Sequence, residues 1–178
     1  MAEDRGALMA AEIAEQPEAL ARLLVPEALD PVREIVGTIR ERSPRFVLLA
    51  ARGTSDHAAL YAKYLVEVSL GLPAGLASPS TMTAYGARPN LSDVLLLTVS
   101  QSGGSPDLVE TVRTARAGGA TTLAVTNNPG SAIAAASELH LDVLAGPERA
   151  VAATKSYSSQ LLAVWLLIPG VLLVGVAC

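Results

Sequence analysis

Cysteine occurs once in this chain, at Cys178, so the sequence offers no disulfide framework and no cysteine-based metal cluster. Its two histidines, His57 and His140, lie far apart, which leaves metal catalysis little to build on, and no metal or other cofactor is expected. Aromatic residues amount to only 3% of the 178 positions, so a core must come from Ala, Leu and Val in a composition that is 51% hydrophobic and 17% charged. Such a mix suits buried strands flanked by helices. A basic excess is also missing. Thirteen Lys and Arg against seventeen Asp and Glu give a net charge of -4 with no basic stripe, which excludes the electrostatic footprint of a nucleic-acid binder. Met1-Ala2-Glu3-Asp4-Arg5 has neither the charged nor the apolar region of a signal peptide, and with a single cysteine the expected compartment is the cytoplasm.

One long apolar run closes the chain: 161–178, LLAVWLLIPGVLLVGVAC, just reaches the length at which a membrane span is weighed. An amphipathic stretch precedes it and Pro169-Gly170 interrupts it, so the reading favoured is a buried helix whose cover lies elsewhere, not a span. The chain has the length of one good-sized domain. Over 1–44, Leu8, Ile13, Leu20, Leu23, Leu24, Ile35 and Ile39 fall at helical spacings, with Pro17 and Pro26 marking bends or ends. A short apolar run at 46–51 then reads as a strand buried on both faces, and runs at 74–77, 94–99, 121–126 and 139–144 resemble it. Helical patterns at 55–70, 106–117 and 154–168 and a short turn at 131–136 alternate with them, and Gly71, Gly118-Gly119 and Gly170 sit where C-terminal caps belong. This alternation predicts an α/β fold, a three-layer αβα sandwich around a five-stranded parallel sheet.

In such sheets ligands bind beyond the carboxyl ends of the strands. After the first strand comes Arg52-Gly53-Thr54-Ser55-Asp56-His57, and after the third comes Ser100-Gln101-Ser102-Gly103-Gly104-Ser105-Pro106-Asp107. Ser105 reads as an N-cap with Pro106 at the first helical position. Capping leaves Ser100, Gln101, Ser102 and the glycine pair unexplained, and these are the groups that gather backbone N–H and hydroxyl donors around an oxyanion; a polar capped turn is the alternative. Nucleotide sites fail on spacing, since there is no Gly-Lys-Ser/Thr loop and no Gly-x-Gly-x-x-Gly opening a helix. A serine hydrolase fails because Ser100 stands where the nucleophile elbow needs glycine. His140 reads as a packed or surface histidine, and Asn127-Asn128-Pro129-Gly130 as a turn on the binding edge. The last loop, Gly146 to Ser156, carries Arg149 and Lys155 into the start of a helix and could close over an anion.

Taken together, GTS after the first strand, SQSGGSPD after the third, AVTNNPGS after the fourth and AGPERAVAATKSY before the last helix resemble the sugar isomerase (SIS) domain. The likeness is to the isomerase half of glucosamine-fructose-6-phosphate aminotransferase and to related glucosamine-6-phosphate deaminases, and it begins at Glu12-Ile13-Ala14-Glu15-Gln16-Pro17. It implies a phosphosugar partner: Gly53, Thr54 and Ser55 match the first sugar-contacting loop, Ser100, Gln101, Ser102 and Ser105 the phosphate loop, and Val151 and Ala153 the last loop. Ala153 replaces a serine common in the aminotransferase, and SGGSPD its usual acidic loop, which tilts the reading toward the deaminase-like branch. The family's ring-opening and proton-transferring groups lie in a second SIS domain. The expectation is therefore a first domain incomplete for catalysis alone, as a truncated or frame-shifted product would be, that works as a homodimer or pairs with a second SIS domain. The corresponding division is a helical segment at 1–44, a phosphosugar-binding domain at 45–168 and an apolar tail at 169–178 that departs from the family.

Overall fold

The computed structural model describes residues 6–173. Three helices come first, α1 (Ala7–Ala14), α2 (Gln16–Arg22) and α3 (Pro26–Arg42). Pro17 and Pro26 each stand in the first turn of a helix, where the missing N–H costs nothing, and Ser43, at φ 47°, ends α3 in the left-handed region. There follow β1 (Phe46–Ala50), α4 (Ser55–Leu65), which widens into a π turn at Val66–Leu70, β2 (Ala74–Leu76), α5 (Pro79–Thr83), β3 (Val94–Ser100), α6 (Pro106–Ala117), β4 (Thr121–Thr126), α7 (Ala132–Ala136), β5 (Leu139–Asp142) and α8 (Lys155–Leu173).

All five strands run parallel in the order β2-β1-β3-β4-β5, with Leu48 opposite Leu96 and Leu97 opposite Leu123. Alternation along β3 assigns the faces. Leu95, Leu97 and Val99 pack with α3, α4 and α8, while Leu96 packs with α6 and α7 through Leu108, Val112 and Ile133. The strands are apolar on both sides because both sides are covered. This is the three-layer αβα sandwich expected.

Three local features differ from the sequence reading. The short helix α5 was not anticipated. Strand β5 stops at Asp142, whose carboxylate accepts the Leu144 N–H at 2.9 Å and turns the chain through φ 52° at Leu144. Helix α8 does not end near Ile168 with Gly170 as its cap but passes through Pro169 and Gly170 to Leu173. Val164, Leu167 and Ile168 are buried in the core, and a Cβ at Gly170 would come within 3.1 Å of Val36 on α3, so packing against α3 overrides the helix-breaking pair. Among the described residues no helix is long and apolar enough to cross a membrane, and 174–178 of the apolar run lie outside them.

Candidate phosphosugar site

Strand β3 delivers Ser100 to the carboxyl edge of the sheet, where its buried hydroxyl accepts the Gly103 N–H at 3.1 Å and curls the following loop. Gly103 has φ 64°, and a Cβ there would lie 2.2 Å from Ser131 Oγ, so only glycine lets this loop pass under α7. Its carbonyl accepts the Ile133 N–H at 3.0 Å, and Ser131 caps α7 by accepting from Ala134. Ser102 is exposed at the crest, its hydroxyl 3.4 Å from the Gly104 N–H. No protein acceptor is found among the described residues for the N–H groups of Gln101 and Ser102. Ser105 has the backbone of an N-cap, yet its hydroxyl makes no capping bond, so capping does not account for it.

The turn after β4 braces this loop on one side. Asn127 donates its N–H to Gln101 O at 3.1 Å, while its side chain donates to Gly146 O at 2.7 Å and accepts from the Ala145 N–H at 2.9 Å. Asn127 therefore clamps the loops after β3 and β5 to each other, a role the reading of 127–130 as a turn did not include. Gln101, Ser102, Asn127, Asn128, Gly146, Pro147 and Glu148 line an open cleft of about 460 Å3. His140 stands 2.9 Å from the Thr126 hydroxyl at the end of β4, and burial lowers its pKa against the opposing pull of Asp142.

Glu148 carries the strongest polar arrangement of the last loop. Its carboxylate accepts from the Thr154 N–H at 2.9 Å, the Thr154 hydroxyl at 3.2 Å, the Ser156 N–H at 3.1 Å and the Ser156 hydroxyl, which makes it the N-terminal cap of α8. Burial pushes this carboxyl up, but the bonds from Ser156 and Thr154 more than reverse that and hold it below the ordinary carboxylate value. Lys155 is only 2% exposed and pairs with Glu15, the residue between α1 and α2. Glu148 and Lys155 are thus both engaged in holding the loop and helix.

The remaining predicted residues are not on the cleft wall. Gly53, with φ 60°, and Thr54 are exposed at the start of α4, and Arg52 beside them meets Asp107 of α6 through Nε at 2.6 Å, tying the first loop to the helix that follows the loop after β3. Ser55 is buried, its hydroxyl donated to Gln160 Oε1 of α8 at 3.1 Å. Val151 is fully exposed and Ala153 partly so, both outside the residues lining the cleft. Sequence reasoning missed Arg52, Glu12, Asn127 as a clamp and the capping role of Glu148, whose partners are remote or set by loop geometry.

Comparison with known proteins places this arrangement. Over 173 residues the chain is 41% identical to glutamine-fructose-6-phosphate aminotransferase (isomerizing) of Symbiobacterium thermophilum, covering 89% of this chain and 28% of that protein. The Streptomyces coelicolor aminotransferase is 38% identical, with 26% of its length covered. A solved structure from Silicibacter pomeroyi DSS-3, classed by inference as a phosphosugar isomerase, superposes with a TM-score of 0.88 at 42% identity over 92% of this chain and 50% of that one. The C-terminal domain of the Francisella tularensis glucosamine-fructose-6-phosphate aminotransferase superposes at 0.76 and 25% identity over 92% and 48%. The chain thus spans about a quarter of the curated relatives and half of the solved ones. The SIS domain profile matches residues 42–169, and the chain belongs to the SIS domain family.

Proposed function

We propose that this chain binds a hexose 6-phosphate of aminosugar metabolism, with Ser100, Gln101, Ser102 and Ser105 around the phosphate and the loops carrying Gly53, Thr54, Ser55, Val151 and Ala153 toward the sugar. The observation that carries the reading is the loop after β3: an exposed Ser102 hydroxyl and unpaired N–H groups at Gln101 and Ser102, held open by Ser100 and Gly103 at the mouth of a cleft. Donors without acceptors at the carboxyl edge of a parallel sheet suit a phosphate. Glu148 on the opposite wall turns its charge toward the N-terminus of α8, so the phosphate belongs on the β3 side of the cleft.

Interconverting glucosamine 6-phosphate and fructose 6-phosphate moves a proton between C1 and C2, which needs a positioned base. Glu148 and Lys155, the titratable groups of the last loop and the start of α8, are bound up in capping and ion pairing. The reading is therefore a first SIS unit whose proton-transfer groups come from a second SIS unit or a second copy of the chain, in the cytoplasm and without a metal or cofactor. A phosphosugar-binding module that performs no turnover is the second reading, favoured by the same engagement of Glu148 and Lys155. Incubating the purified chain with glucosamine 6-phosphate while following ammonia, fructose 6-phosphate and bound ligand separates them. Binding without turnover is expected. Turnover by this chain alone contradicts the need for a second unit, and absence of binding contradicts the site.

A further inference from the structure

The loop between β5 and α8 is held from an unexpected direction. Glu12 of α1 is 3% exposed and has no cation at ion-pair distance among the described residues. Its carboxylate accepts the Arg149 N–H at 2.5 Å and the Ala150 N–H at 3.1 Å, across 137 and 138 positions of sequence. Burying a carboxylate is costly unless hydrogen bonds replace its water, and here both bonds go to the backbone of one loop. It is the buried residue of α1, whose other side chains contribute little to a core. Neighbouring residues grip the same stretch. Arg22 of α2 donates to Leu144 O at 2.8 Å and Ala145 O at 3.0 Å, Glu15 pairs with buried Lys155, and Gln16 accepts from Ser158 at 2.5 Å.

Acceptors and donors are thus matched to the loop's free backbone groups: Arg22 takes carbonyls at its stem and Glu12 takes N–H groups beyond Glu148. Between the Glu12 contact and the Glu148 cap only Val151, Ala152 and Ala153 are left without a tie from these residues, and Val151 projects fully into solvent. We propose that Glu12 is a positioning residue that sets the height of the Val151–Ala153 tip over the bound sugar, so that α1 governs affinity for the sugar end of the ligand and not for its phosphate. This rests on the hexose 6-phosphate reading of the site. Glu12 touches no ligand itself; it acts through Arg149 and Ala150.

Glu12→Ala tests it in the full chain, by titration with fructose 6-phosphate and separately with inorganic phosphate, together with amide hydrogen exchange. The expected result is an affinity for fructose 6-phosphate about tenfold lower, phosphate affinity within about twofold of wild type, and amides of 149–153 exchanging about tenfold faster while those of β3 and β4 stay protected. Equal losses for both ligands, no loss for either, or unchanged exchange at 149–153 overturns the inference. Should Glu12→Ala fail to fold, Glu12→Gln, which keeps an acceptor at the same reach without the charge, is expected to show the same split at smaller size, and equal effects on both ligands overturn the inference there too. Wild type that binds no fructose 6-phosphate removes the reading of the site itself, an outcome visible before any variant is compared.

Discussion

At the carboxyl ends of the strands a cleft of about 460 Å3 is walled by Gln101, Ser102, Asn127, Asn128 and Glu148, whereas at the amino ends a cavity of about 350 Å3 is walled by Val47, Leu72, Leu95, Leu97, Leu167 and Val171. The two are of comparable size but differ in the groups that line them. In the first, hydroxyls, carboxamides and N–H groups converge from three loops, and a glycine in a left-handed turn permits the approach. In the second, β1, β3, α3 and α8 fail to close on one another, and the lining is aliphatic apart from Arg40, Ser43 and Pro44. Enclosure alone would favour the apolar cavity; the distribution of donors favours the cleft, and a phosphate requires donors.

The largest effect that would break this contrast belongs to Gly103→Ala. The new Cβ would meet Ser131 Oγ at 2.2 Å at a φ of 64°, so unfolding in denaturant should show a loss of about 3 kcal/mol or more, with hexose phosphate binding abolished. Leu97→Ala, at the amino-end cavity, should cost about 2–3 kcal/mol in the same measurement yet leave affinity for fructose 6-phosphate unchanged, because it acts at the other end of the sheet. Reduced affinity in Leu97→Ala would mean that the two ends are coupled.

Glu148→Gln sharpens the comparison with a smaller effect, about 1 kcal/mol at neutral pH, the usual worth of a helix N-cap. Because the carboxyl of Glu148 lies below its ordinary value in the folded chain, its contribution is present above the ordinary carboxylate range and is lost as pH falls through the lowered folded value. Melting curves of wild type and variant should therefore converge in acid. A gap that persists to the lowest pH would show that the charge is not what holds the cap.

How much of this was legible follows from the range of each signal. The apolar runs at 94–99 and 121–126 became β3 and β4 because burial on both faces leaves no alternation to misread. Pro106 marked the start of α6 from the same local chemistry, whereas Pro26, read as a bend or end, opens α3. The serines and glycines after β3 could be placed on the binding edge from order alone. What the loop does with them could not: the Ser100 hydroxyl is buried and accepts from Gly103, the buried Ser55 hydroxyl is donated to Gln160, and the Ser102 hydroxyl stands exposed at the crest. Glu12 lay in plain view within a helical pattern, but its partners are 137 positions away and are backbone groups without sequence identity. Likewise Gly170 read as a cap until α3 supplied the packing that carries α8 past it.

The most direct measurement is calorimetric titration of fructose 6-phosphate and of inorganic phosphate into wild type and Ser102→Ala. Ser102 is exposed and, among the described residues, its hydroxyl makes a single hydrogen bond, accepted from the Gly104 N–H at 3.4 Å, so the variant should keep the fold. The proposed phosphate-binding role of this loop predicts that both ligands lose about tenfold or more in affinity, the worth of one hydrogen bond to a charged group. Wild-type affinity in Ser102→Ala for both ligands would contradict it.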